Sequence, residues 1–431
     1  MSQDTADNPL PQEDLNLEGC SKEELCSYVR QLRAHVKQLR NIIAKSNSTA
    51  QDSGHKHQQA FDFKKYKRRH VALKFLYLGW DYQGFTVQED TANTIEAEMF
   101  KALRRTCLLE SRETSNYHRC GRTDTGVSAF SQVISLDLRT NQLEGKGVVT
   151  PADYCPNQKS GVPGSEEIPY LTILNKVLPP EIRVIGWAPV EPGFSARFDC
   201  TRRTYKYFFP KGNLNITSMR EAAQYLLGDH DFRNLCKMDV GNGVTEYTRR
   251  IFRVDIQPLG QSHAQSNSMW ELTVEGKAFL WHQIRCIVAI LMLVGQGREP
   301  PQIVAELLDI EKFPRKPQYS MAAELPLVLY DCHYEGVEWQ IDQEALQAVI
   351  SHLQKLWAEN AIKSAMIHSM LDSLQPDCQA KVEDEALLIQ KGIRPRVYKR
   401  LRDVPVCDSL QEKIVHYQKR LKIPKKGKKQ S

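Results

Sequence analysis

No stretch of the sequence is apolar for long enough to cross a bilayer. The longest run, Cys286 to Gly295, is half the length a spanning helix needs, so no membrane association is expected. No basic segment followed by an apolar core opens the chain, and no secretory signal is predicted. The phosphate-cradling pattern G-x-x-x-x-G-K-[ST] and the dinucleotide pattern G-x-G-x-x-G are both missing, which removes most nucleotide-cofactor readings. Cysteine is present eleven times, but no C-x-x-C pair occurs. A zinc knuckle or a thioredoxin-like motif is therefore not predicted, and an odd, scattered set from Cys20 to Cys407 reads as reduced thiols inside a cell.

What is present is ordinary globular composition. Of 431 residues, 41% are hydrophobic and 26% charged, which excludes collagen-like, mucin-like and wholly disordered chains. The net charge of +6 is unevenly placed. Residues 391–431 hold 14 Lys and Arg against 3 Asp and Glu, so the rest of the chain is net negative. Such a tail suits a polyanion through phosphate neutralisation, or serves import or solubility. A second basic cluster, Lys64, Lys65, Lys67, Arg68 and Arg69, allows RNA contact, nuclear import or merely a charged strand edge. A nuclear location, shared with the cytoplasm, is expected.

Periodicity divides the chain. A polar N-terminus and linker fill 1–62 around a helix at 21–46. Ser21 and Glu24 form its capping box, and Leu25, Val29, Leu32, Val36, Leu39 and Ile43 form a heptad seam. Strand and amphipathic-helix patterns then alternate through 63–185 and again through 186–340, followed by a helical extension at 341–390 and the basic tail at 391–431. Hairpin-like neighbours outnumber βαβ units. The expected class is therefore α+β: two pseudo-symmetric halves of mixed, mostly antiparallel sheet with helices laid on one face.

One loop stands out chemically. In His118-Arg-Cys-Gly-Arg-Thr-Asp124-Thr-Gly-Val-Ser-Ala129 a single carboxylate lies between two threonines, flanked by Gly121 and Gly126. Glycines on both sides let a tight loop present that acid. It can act as nucleophile, base or metal ligand, or simply close an Asx-turn before the strand. Asp229, His230 and Asp231 have the look of metal ligands, but adjacent acids pointing different ways read as structural.

Gly121-Arg-Thr-Asp-Thr-Gly-Val-Ser-Ala129 resembles the signature loop of the TruA-type tRNA pseudouridine synthases, with Thr125 where Lys or Ala is usual. Further blocks resemble that family in the same order. They are Tyr77–Phe85, the helix start Asn93–Glu96, Phe194–Arg197, Arg203-Thr-Tyr205-Lys-Tyr207, Gly228–Phe232 and Phe279–Val288. The likeness runs from about residue 70 to 335, and the N-terminal helix and basic tail are similar to the eukaryotic branch acting at tRNA positions 38 and 39.

The resemblance implies the pseudouridine synthase fold and a homodimeric isomerase acting on the anticodon stem-loop of tRNA. It implies no cofactor and no metal, since turning uracil from an N- to a C-glycoside needs neither redox chemistry nor ATP. Asp124 would be the nucleophile at C1′, Tyr205 would stack on the flipped uracil, and Arg285 would pair with Asp124 and favour its charged form. Arg122, Arg119, Thr123, Arg197 and Arg203 would contact the RNA, with Arg122 or Arg119 bracing the emptied stack.

Deleting residues 391–431 is expected to weaken tRNA binding and flatten its salt dependence, read by binding titrations across salt concentrations. An unchanged salt slope would leave the tail only an import or solubility role.

Overall fold

The computed structural model describes residues 61–88, 91–155, 166–260, 268–374 and 398–422. The heptad helix expected at 21–46 lies outside the described residues, as do 375–397 and 423–431 of the extension and tail.

Ten strands form one sheet: β1 Arg68–Tyr77, β2 His118–Arg119, β3 Ser128–Arg139, β4 Val148–Val149, β5 Ile182–Pro189, β6 Cys200–Pro210, β7 Gly228–Asp231, β8 Thr248–Pro258, β9 Met269–Gly276 and β10 Leu327–Tyr334. Its path is β4-β1-β3-β10-β6-β9-β8-β7, with β5 also on β1 and β2 on β3. Every pairing is antiparallel except β3 with β10. There two parallel pairs, Val328↔Ser128 and Leu329↔Ala129, join the two halves of the sheet.

The helices are α1 Ile95–Arg105, α2 Tyr170–Asn175, α3 Ile216–Gln224, α4 Gln283–Gly295, α5 Ile303–Leu308, α6 Gln343–Leu374 and α7 Leu410–Lys422. Local chemistry explains their ends. Thr94 caps α1 by accepting from the Ala97 amide at 3.3 Å, with Glu96 and Glu98 in the first turn and Arg104 and Arg105 in the last. Asn215 caps α3 from the Ser218 amide at 3.1 Å. Helix α4 is apolar all round except at its start, and it is buried nearly throughout.

Strand patterns follow exposure. β1 has partners along both edges and reads as the near-continuous run Val71-Ala-Leu-Lys-Phe-Leu-Tyr77. β5 covers one face only and alternates buried with half-buried residues. One core gathers around Leu73, Phe75, Leu103, Leu136 and Val184, the other around Phe209, Met219, Ile256, Leu272 and Leu291. The half-buried Tyr205 packs against both. From Asp62 onward the chain clusters as one compact unit.

Three expectations meet their partners here. Each basic side chain from Lys64 to Arg69 is held within the chain, for example Lys67 by the Leu143 carbonyl at 2.7 Å and Arg69 by Glu167 at 2.9 Å. The cluster runs from a short 3-10 turn at Phe63–Lys65 into the first two residues of β1. His230 Nε2 meets the Leu227 carbonyl at 2.7 Å and Asp231 pairs with Arg233, so Asp229–Asp231 is structural. Arg119, expected at the RNA, instead binds Glu96.

Glu96 is fully buried on α1. It accepts from Arg119 at 2.7 Å, from the Tyr117 hydroxyl at 2.8 Å and from the Val87 amide at 3.0 Å, and it pairs with Arg112 at 3.2 Å. Removing one partner of a buried charged network strands the others. Glu96→Ala is expected to cost about 3 kcal/mol of stability in urea unfolding; an unshifted midpoint would show that the network contributes nothing.

Candidate active site

The loop between β2 and β3 is held from several sides. Gly121 exchanges hydrogen bonds with the Gln132 side chain at 3.4 and 3.2 Å. The Thr123 carbonyl accepts from the Phe85 amide at 3.1 Å, and the Gly126 amide donates to the Tyr82 carbonyl at 3.1 Å. Thr123 itself is buried, its hydroxyl 2.7 Å from that of Tyr77. Burial pushes the Tyr77 phenol well above its ordinary range, so it stays a neutral partner. Gly126 turns the chain at φ +76°, where a Cβ would also lie 2.9 Å from Glu324.

Asp124 emerges from this frame with its side chain 26% exposed. The Trp281 indole N–H donates to one carboxylate oxygen at 3.2 Å, and His282 Nε2 lies 3.3 Å from the other. His282 caps the start of α4 with a left-handed backbone, φ +60°, and its Nδ1 is buried without a hydrogen bond. The carboxylate therefore sits at the positive end of α4. Lys237 lies over the Trp281 ring, 4.0 Å from its centre.

Arg285, one turn further along α4, does not pair with Asp124. Its Nε donates to the Ala322 carbonyl at 2.8 Å and its terminal nitrogen to Glu324 at 3.1 Å. The expected Asp124–Arg285 pair is thus replaced by two contacts from the residues just before α4. Arg285 instead braces Glu324, which packs under Gly126.

Tyr205 on β6 is in register with Leu329 on β10, and Leu329 with Ala129 on β3. That sets Tyr205 two strand spacings, roughly 10 Å, from the strand that the loop enters. The Phe279 ring meets it edge-on at 5.2 Å. Its hydroxyl has no hydrogen-bond partner among the described residues, and burial holds the phenol well above its ordinary range. Tyr205 is therefore an aromatic wall rather than a charged group at neutral pH.

The remaining arginines divide. Arg203 is buried and donates to the carbonyls of Lys277, Cys120 and Arg197 at 2.6, 3.1 and 3.0 Å, a structural clamp rather than an RNA contact. Arg122 and Arg197 are exposed. Partial burial, with the nearby charges of Arg119 and Arg197, pulls Arg122 below the ordinary guanidinium range. Arg197 lies over Phe198, a ring 74% exposed. This is a surface of like charge and open aromatic ring beside a solvent-accessible acid.

The family described as tRNA pseudouridine synthase matches residues 222–335. The Homo sapiens protein named tRNA pseudouridine(38/39) synthase is 48% identical, over 93% of this chain and 88% of its own. The chain belongs to the tRNA pseudouridine synthase family. A Saccharomyces cerevisiae protein of the same name is 39% identical over 74% and 72% of the two chains. The tRNA pseudouridine synthase A of Methanosarcina barkeri is 29% identical over 70% of this chain and 98% of its own.

A tRNA pseudouridine synthase is an isomerase, and two residues at the acid of this one escaped the sequence reading. Trp281 and His282 lie inside the Phe279–Val288 block, but only Arg285 was singled out there. The available signal was their place just before a helix that otherwise reads as core.

Gly79 explains how closely the loop is held. A Cβ there would lie 2.0 Å from the Val127 carbonyl oxygen, against backbone that cannot rotate away. Displacement of catalytic groups by about 1 Å can cost on the order of 10²-fold in rate. Gly79→Ala is expected to lose activity on that order while remaining folded; single-turnover rates equal to the parent's would refute the tight packing of this loop.

Proposed function

We propose that this isomerase converts uridine to pseudouridine at positions 38 and 39 of tRNA, with Asp124 as the nucleophile. The observation that carries the reading is the accessible Asp124 carboxylate on a braced loop, beside Trp281 and His282. The position assignment is supported by the names of the human and yeast relatives.

The chemistry breaks the C1′–N1 bond, turns the detached uracil and forms a C1′–C5 bond. The C5 proton leaves and N1 gains one, so atoms balance with no external reagent. Asp124 acts at the sugar, by direct attack on C1′ or by the glycal route. Tyr205 gives a flat apolar face for the base. Arg122, Arg197 and Phe198 form the RNA-facing surface. Phosphates relieve the repulsion between the arginines, and the exposed ring stacks on an unpaired base. Extraction of a nucleotide costs a few kcal/mol, less in a loop than in a duplex.

The working enzyme is a homodimer in this proposal. Helix α6 exposes Trp357, Ile362, Met366, Ile367, Met370 and Leu374, each more than half open, a stripe that a second copy would cover. Its location is nuclear, with a cytoplasmic share, supported by the basic tail.

Asp124→Ala is expected to cut pseudouridine formation on an anticodon stem-loop by about 10³-fold or more while leaving binding nearly intact. Residual isomerisation at the parent rate would remove Asp124 from the reaction.

A further inference from the structure

Three cysteines from distant parts of the sequence meet beneath the loop. Cys120 heads it, Cys200 opens β6 and Cys332 lies on β10. Their sulfur atoms all lie within 4.8 Å of one another, with Cys120 and Cys332 at 3.3 Å. All three are buried, at 4%, 4% and 2% exposure. A cation among sulfurs so spaced lies at roughly the 2.3 Å of a zinc–thiolate bond.

Buried cysteines often serve only as small apolar side chains. A second observation argues for more. The Arg203 guanidinium is buried beside this cluster, and its hydrogen bonds go only to carbonyl groups. No carboxylate pairs with it among the described residues. A buried cation with no counter-charge is costly. Three neutral thiols leave that charge unanswered. Three thiolates around one divalent ion carry a net charge of −1, which balances Arg203.

We propose that Cys120, Cys200 and Cys332 bind one zinc ion as thiolates. Binding releases three protons to solvent and forms three Zn–S bonds, with no change of oxidation state. Zinc is the fitting ion because all three donors are soft and the site is closed, as in structural sites. The ion ties the start of the loop to the strands that carry Tyr205 and Leu329. It takes no part in isomerisation, so the site stands apart from the proposed nucleophile.

The test is the metal content of the full-length protein, grown in zinc-supplemented medium, purified without chelator and measured by plasma mass spectrometry. The expected result is one zinc per chain, lost in Cys200→Ser. A parent protein with only trace zinc overturns the proposal, as does a folded Cys200→Ser protein that keeps the ion. Should that variant fail to fold, the parent grown with cobalt(II) decides. A thiolate-to-cobalt charge-transfer band in the near ultraviolet is the predicted signature, and a spectrum without it refutes the site.

Discussion

The parallel joint between β3 and β10 is the constraint on which the rest depends. It is only two residue pairs long, yet four parts of the site converge on it. The Asp124 loop ends at Ser128, the first residue of the joint. Tyr205 is in register with Leu329. Glu324, three residues before β10, holds Arg285 and lies under Gly126. Cys332 closes the thiol cluster. Because β3 and β10 are far apart in sequence, the joint brings together segments from both halves of the chain. The site is thus assembled by the closure of the sheet, and no single segment carries it.

Charge is arranged to keep Asp124 available. Arg285 pairs with Glu324, so it braces the loop without pairing with Asp124. Asp124 meets the Trp281 N–H, His282 and the start of α4 instead. These contacts orient the carboxylate while leaving it partly open to solvent. Arg122 and Arg197 are exposed, whereas Arg119 is held by Glu96 and Arg203 by carbonyl groups.

Much of this was legible in the sequence because the signals are local. The apolar runs of β1 and β3, the capping of α1, the hairpin of β8 and β9 and the span of α6 at Gln343–Leu374 all follow from period and end residues. Glycines around Asp124 marked the loop. β10 is hard to read from the sequence because a bulge between Leu329 and Asp331 breaks its alternation, and Asp331 and His333 make it look like a loop. The Asp124–Arg285 pairing failed for a related reason. Which acid an arginine meets is decided by the chain before β10, and spacing within one helix says nothing of Glu324. The roles of Arg119 and Arg203 were hidden in the same way, since an arginine bound inward and one facing RNA read alike. The thiol cluster has no sequence signature at all, because Cys120, Cys200 and Cys332 come from three separate elements.

The most direct test of the central claim is site-resolved pseudouridine mapping of tRNA from cells lacking this chain. The cells are complemented with the parent or with Asp124→Asn, which keeps the shape of the side chain and removes its charge. The account predicts loss at positions 38 and 39, restoration by the parent and none by the asparagine variant. Marks that persist without the chain, or that return with Asp124→Asn, would contradict it.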